Sequence, residues 1–368
     1  MHLNKISLIN FKNYSEAGIE FDCGVNAFVG ENGEGKTNLL DAIHYLSLCK
    51  SYFNPIDTQN IRQNEDFFVI QGEFVINNLE ENIFCGLKRG QKKIFKRNQK
   101  EYDRLAEHIG LIPVVMISPT DMNLITGGSE ERRRFPDSII AQYDRSYLEN
   151  LISYSHSLIQ RNSYLKQSSQ SKIFDALEVW NDQLLLSGIK IHEARKKFVT
   201  DIVPIFRHYY NFISDEKETV GISYDSHLNE GDFKITLSES IARDRILQYT
   251  SVGPHKDDLN FTLNNFPAKR FASQGQQKSF LIALKLAQFD YVCKKKEIKP
   301  ILLLDDIFDK LDDKRVGKLM ELVSKDNFGQ IFITDTHQER LLSIFQKINV
   351  SIQIFPVKDG GVVNQLVD

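Results

Sequence analysis

The sequence predicts an α/β fold in which a mixed sheet and an antiparallel hairpin sheet are interrupted by an inserted helical lobe. Three observations predict it. The short apolar run VNAFVG (25–30) ends in glycine, passes into GENGEGKT (30–37) and leads into an amphipathic helical pattern. Two continuous apolar runs, ILLL (301–304) and QIFIT (330–334), have the texture of strands buried on both faces, as in a parallel sheet covered by helices. Between these halves, 130–210 reads as helix, with glycine and proline absent for long stretches.

Length and composition fit this organisation. At 368 residues the chain exceeds what one hydrophobic core usually holds, so two or three compact units are expected. Hydrophobic residues at 41% and charged residues at 26% exclude a mostly disordered chain. Forty-six Lys and Arg against 49 Asp and Glu leave a net charge of −3, so any nucleic-acid contact has to come from a local patch. Cys23, Cys49, Cys85 and Cys293 form no CxxC pair, which fits neither a zinc site nor a dense disulfide framework. The N-terminus lacks the apolar core of a signal peptide, and the longest apolar run, 111–117, is broken by Pro113 and far short of the ~20 residues that span a bilayer. A soluble, cytoplasmic protein with no membrane partner is expected.

Taken in order, 5–11, 18–22 and 25–30 read as strands, followed by a helix over 36–50 with Leu39, Leu40, Ile43 and Leu46 on one face. Residues 66–98 hold three strand-like segments joined by Asn and Gly, a hairpin sheet. In the helical stretch, Ile173, Leu177, Trp180, Leu184 and Ile191 fall at heptad-like spacing, as do Leu151, Leu158 and Leu165. They predict a helix pair packing its own apolar seams, with a dimer interface as the other reading. FKITLSE (233–239) and LNFTLNN (259–265) read as strands and 276–293 as a helix. The expected division is 1–125 and 249–368 as the two parts of the α/β unit, with 126–248 as the helical lobe.

The stretch 30–37 fits GxxxxGK[ST]. Its glycines let backbone N–H groups curl around phosphate oxygens, with the following helix pointing its positive end at them. The expected nucleotide contacts are Gly30, Glu31, Asn32, Gly33, Glu34, Gly35, Lys36, Thr37 and Asn38, with Lys36 reaching the β- and γ-phosphates and Thr37 ligating Mg²⁺. The complementary element is ILLLDD (301–306): Asp305 at the strand end would hold Mg²⁺ through water, and Asp306 would orient or deprotonate an attacking water. ATP and Mg²⁺ are therefore the expected cofactors. Ser273, Gln274, Gly275, Gln276 and Gln277 open an amphipathic helix and offer a second anion site, or ordinary capping.

These motifs resemble the RecF family, relatives of the SMC-type ATPases, over nearly the full chain. Besides the phosphate loop the likeness rests on SLINFKNY (7–14), GGSEERRRFPDSII (127–140), YSHSLIQRNSYLK (154–166), VGPHKDDL (252–259), SQGQQKS (273–279) and LLLDDIFDKLD (302–312). Lys256 stands where the family commonly has Arg, and Pro136 interrupts a position usually apolar; neither touches the nucleotide motifs. The resemblance implies an ABC/SMC-type P-loop ATPase head. It further implies that Ser273, Gln274, Gly275 and Gln276 act in trans, capping the nucleotide of a second subunit in an ATP-dependent homodimer. Asp309, Lys310, Leu311 and Asp312 resemble the dimer-contact loop of that class. Thr334, Asp335, Thr336 and His337 resemble its switch loop, with Asp335, Thr336 and His337 as sensor candidates. His255, Asp257 and Asp258 read as turn residues without a catalytic role.

The resemblance implies a recombination mediator with weak, DNA-stimulated ATPase activity that binds double-stranded and gapped DNA and works with RecR, RecO and RecA. The residues themselves offer Lys88, Arg89, Lys92, Lys93, Lys96, Arg97 and Lys100, seven cations within 88–100, as phosphate contacts or as a lysine-protected edge strand. Arg132, Arg133 and Arg134 read equally as DNA contacts or packing ion pairs. A transporter ATPase subunit and an ATP-binding scaffold without productive hydrolysis are the alternatives, although the helical insertion is too long for the first. Asp306, shorter than the Glu of many relatives, predicts slow turnover.

Overall fold

Alternating buried and exposed side chains build the first sheet. In the computed structural model, which describes residues 1–167, 173–214, 218–307, 313–324 and 328–362, the chain forms two compact units, one of residues 1–121 with 284–368 and one of residues 122–283. In the first unit, strands β1 (His2–Phe11), β2 (Tyr14–Glu20), β4 (Phe67–Ile76), β5 (Leu79–Lys88), β6 (Ile94–Arg97) and β7 (Lys100–Glu101) pair in the order β2-β1-β4-β5-β6-β7, all antiparallel. Leu3, Ile6 and Leu8 of β1 and Phe68, Ile70 and Phe74 of β4 turn to the core, the period-2 pattern of a sheet with one wet face.

The second sheet of this unit is mixed, as expected. It joins β3 (Val25–Val29), β8 (Val114–Ile117), β12 (Ile301–Leu304), β13 (Ile331–Asp335), β14 (Ile352–Lys358) and β15 (Gly361–Val362) in the order β15-β14-β3-β13-β12-β8. All neighbours run parallel except β15, which folds back on β14. Strands β3, β8, β12 and β13 are buried at every position, hence the unbroken apolar runs of β8 and β12. The parallel register sets Val29 beside Asp335 and Leu304 beside both Ile333 and Ile117. Consequently Gly30, Asp305 and Ser118 all leave the sheet at its carboxyl edge, where α/β sheets bind ligands. The helix Lys36–Leu48 packs Leu39, Leu40, Ile43 and Leu46 into the core and stops where Cys49 takes φ 55.

The second unit is built on helices Ser129–Tyr143, Arg145–Gln167 and Ile173–Ser214 and on the antiparallel strands β9 (Val220–Asp225), β10 (Asp258–Leu263) and β11 (Phe266–Pro267). Leu165, Leu177, Leu184 and Ile191 are buried, so these four of the heptad-spaced residues serve the core, while Leu151, Leu158 and Trp180 are half-buried. The expected end of this unit at 248 is displaced, because residues 249–283 stay with it. β10 pairs along its whole length with β9, from Asp258↔Asp225 to Leu263↔Val220. A second correction concerns 233–239, expected as a strand and found as the helix Phe233–Glu239. Asp232 caps it by accepting the Lys234 N–H, and Phe233 and Leu237, four apart, share its buried face.

Two buried arginines knit this unit. Arg161 and Asp244, both fully buried, pair at 2.7 Å; Arg161 also donates to Asn181 and Thr250, while Asp244 accepts from Ser251 and Ser240. Arg195 bridges Asp137 and Asp257, each at 2.9 Å. Beside Asp257, His255 lies between the Tyr154 hydroxyl and the Thr250 carbonyl, and burial pushes its imidazole down to about 4.

Candidate functional site

The phosphate loop takes its shape from backbone needs that only glycine meets. Gly33 and Gly35 sit at φ 91 and 115, in the left-handed region. A Cβ on Gly30 would overlap the Val357 carbonyl, so the loop starts flush against β14. Gly35 precedes the helix Lys36–Leu48, whose first N–H groups have no intrahelical acceptor. Lys36 is 4% exposed, and its ammonium donates to the carbonyls of Gly30 at 2.7 Å and Glu31 at 2.9 Å, curling back over the loop.

Asp305 is the hub. Its Oδ1 accepts from the Thr37 hydroxyl at 2.8 Å and the Thr334 hydroxyl at 2.9 Å, and its Oδ2 from Ser118 at 3.3 Å. Burial pushes this carboxyl up from its ordinary value, opposed by the hydrogen bonds from Thr37, Thr334 and Ser118 and by the Lys36 charge. A buried carboxylate beside a hydroxyl suits a hard cation with oxygen ligands. Among the described residues no group of three His, Cys, Asp or Glu could hold a metal by itself. Phosphate oxygens and water would have to complete the shell.

Asp306, next in line, holds φ 45, a conformation that costs a non-glycine residue about 1–2 kcal/mol. Its N–H donates to the Thr334 hydroxyl at 2.9 Å, which fixes the bend that takes the chain out of β12. Thr334 therefore organises both acids. The family resemblance assigned it only to the switch-like segment, and its place beside both acids depends on the β12–β13 register. Of the three sensor candidates, Asp335 is buried and committed: it accepts the His337 N–H at 2.7 Å and pairs with Arg340 at 2.6 Å. Thr336 is half-buried and His337 exposed. Residues 118–121, which follow β8, are fixed by Asp121, which accepts the Ser118 N–H and pairs with Lys285 at 2.8 Å. Asp309, Lys310, Leu311 and Asp312 lie outside the described residues.

In the second unit, Ser273 and Gln276 form a reciprocal capping box at the start of the helix Gln274–Lys296. The Gln276 side chain accepts the Ser273 N–H at 2.7 Å, and the Ser273 hydroxyl oxygen accepts the Gln276 N–H at 3.3 Å. Capping uses Ser273 as an acceptor and leaves its O–H to donate. Ser273 and Gln274 are exposed, Gly275 half-buried.

The basic hairpin divides. Lys88, Arg89, Lys92 and Lys100 are exposed, and Lys96 lies over the Phe84 ring at 5.6 Å. Lys93 departs from the expected surface role: it turns inward to Asp57 at 2.7 Å and the Cys49 carbonyl at 2.6 Å. Arg97 is engaged by Glu81, with Nε to Oε2 at 2.8 Å. Arg132 pairs with Asp258 at 2.6 Å and Arg133 donates to the Asp257 carbonyl at 2.9 Å, both packing contacts, whereas Arg134 is exposed and pairs with Glu130 along its own helix at 2.6 Å.

The family model described as the RecF/RecN/SMC N terminal domain matches residues 2–361. A DNA replication and repair protein RecF of Flavobacterium johnsoniae is 52% identical over 357 residues, covering 96% of this chain and 99% of the relative. A protein of the same name from Bacteroides fragilis is 50% identical over 363 residues, covering 98% of each. A solved structure of the recombination mediator protein RecF-ATP in the RecFOR pathway superposes with a TM-score of 0.89 at 29% identity, over 99% of this chain and 97% of that one. The Smc head domain of Pyrococcus furiosus, at 17% identity and a TM-score of 0.57, shares the fold over 98% of this chain and 96% of its own. Among the described residues no helix is long and apolar enough to cross a membrane.

Proposed function

Because this chain belongs to the RecF family and has the ABC/SMC ATPase head fold, we propose that it is an ATP-dependent DNA-binding recombination mediator. The observation that carries this reading is the convergence of Lys36, Thr37 and Asp305: the helix-start hydroxyl lies 2.8 Å from the strand-end carboxylate, beside a lysine curled over the glycine loop. ATP binds with its phosphates in the loop. Lys36 exchanges the Gly30 and Glu31 carbonyls for phosphate oxygens, a stronger, charge-assisted pairing. Thr37 and Asp305 hold Mg²⁺, which when bound neutralises phosphate charge. Asp306 orients the attacking water, and its short side chain keeps turnover slow, below ~1 s⁻¹, the bottom of the usual enzyme range.

Ser273, Gln274, Gly275 and Gln276 complete the nucleotide site of a second copy, so that ATP favours the homodimer and hydrolysis releases it. The dimer holds double-stranded DNA near gaps and works with RecR and RecO to load RecA. Lys88, Arg89, Lys92 and Lys96 are the DNA contacts on this reading. They address the backbone, so binding falls steeply with salt. Titration of duplex DNA with ATP present is expected to give affinity that drops between 50 and 200 mM salt by about tenfold or more. Lys88→Ala with Lys92→Ala should weaken binding uniformly across sequences and lower the salt slope by about two. Retention indifferent to both ATP and salt would contradict the reading.

A further inference from the structure

The phosphate loop is braced from outside by two turns. Asn13 closes the β1–β2 hairpin, where Phe11 pairs with Tyr14. Its Nδ2 donates to the Glu34 carbonyl at 2.8 Å, and its Oδ1 accepts from Asn38 Nδ2 at 2.8 Å. The second turn, Asp359 with Gly360, joins β14 to β15; both residues have positive φ, 51 and 69, the geometry of a tight two-residue hairpin. Both N–H groups are aimed at Glu34. Gly360 donates to its carbonyl at 3.2 Å and Asp359 to its carboxylate. The Tyr14 hydroxyl reaches the Gly35 carbonyl at 3.1 Å.

One carbonyl, that of Glu34, thus receives donors from residues 13 and 360 and is pinned on the outer side of the loop. A trans peptide is planar with C=O and N–H opposed, so this pinning turns the Gly35 N–H to the inner side, where the loop's donors form an anion-binding nest. The fit is close: a Cβ on Gly35 would overlap the Asn13 amide, and one on Gly360 would lie 2.6 Å from the Asn13 carbonyl oxygen.

We infer that Asn13 is a positioning residue for the nucleotide, acting with the turn of Asp359 and Gly360 to hold the Gly35 N–H toward the phosphates. The inference rests on the reading that this loop takes ATP. Its test is ATP affinity by titration and steady-state ATPase kinetics for wild type, Asn13→Ala, Asn13→Asp, Gly360→Ala and the double variant Asn13→Ala, Gly360→Ala. Losing the Asn13 donor is expected to raise both Kd and KM for ATP about tenfold, or 1.4 kcal/mol, with kcat within about twofold, because Lys36, Asp305 and Asp306 are untouched. A merely structural lesion would instead lower kcat with the folded fraction. Asn13→Asp keeps the volume and the acceptor, so it carries the test if the Ala variant folds poorly. The double variant should be no worse than the weaker single, since both act on one carbonyl. Wild-type ATP affinity in both Asn13 variants, or a fully additive double, overturns the inference alone. Failure of wild type to bind ATP overturns it together with the function.

Discussion

Lys36→Ala is expected to weaken ATP binding about a hundredfold and to abolish every ATP-dependent behaviour of the protein. Lys36 is 4% exposed, and its ammonium donates to the neutral carbonyls of Gly30 and Glu31. Exchanging these for phosphate oxygens turns two neutral-acceptor contacts into charge-assisted ones, each about twice as strong. Removing a charged donor typically costs about 1.5–3 kcal/mol, or one to two decades of affinity, and the triphosphate here would lose its nearest buried cation. Titration calorimetry measures this directly. The unfolding temperature without nucleotide should stay near wild type, because truncation strands only two carbonyls of a loop. An affinity within threefold of wild type would place the phosphates elsewhere.

The second large effect concerns the inserted lobe. Asp244→Ala is expected to destabilise the second unit by about 3–5 kcal/mol, since it leaves the fully buried Arg161 without its counter-ion. Ser251 and Ser240 would also lose their acceptor. Denaturant titration followed by the single tryptophan, Trp180, reads this unit. Replacing the pair together, Arg161→Met with Asp244→Leu, should recover a large part of the loss, because no charge is then stranded. If Asp244→Ala costs less than about 1 kcal/mol, the pair does not hold the lobe together.

Most of the nucleotide half was legible in the sequence because its motifs are local. The glycine loop, Lys36 and Thr37 lie within eight residues, and the apolar run before Asp305 announces a buried strand and its end. What escaped depends on register. Thr334 and Ser118 meet Asp305 only because β13 and β8 flank β12 in parallel. Asn13 and Gly360 meet at one carbonyl across nearly the whole chain. The misread segment 233–239 shows a different limit: its apolar residues satisfy alternation, and the Asp232 cap with the Phe233 and Leu237 pair decides for helix. Charge counting likewise could not show that Lys93 spends its ammonium on Asp57, whereas Lys88 and Lys92 face solvent.

ATP is expected to assemble two copies, each supplying what the other's nucleotide site lacks, and light scattering with and without ATP, on wild type and on Ser273→Arg, measures this. The prediction is a mass that doubles with ATP for wild type and stays monomeric for the Arg variant, which should still bind ATP through its own Lys36. A wild-type mass unmoved by ATP, or an Arg variant that pairs as readily as wild type, would contradict it.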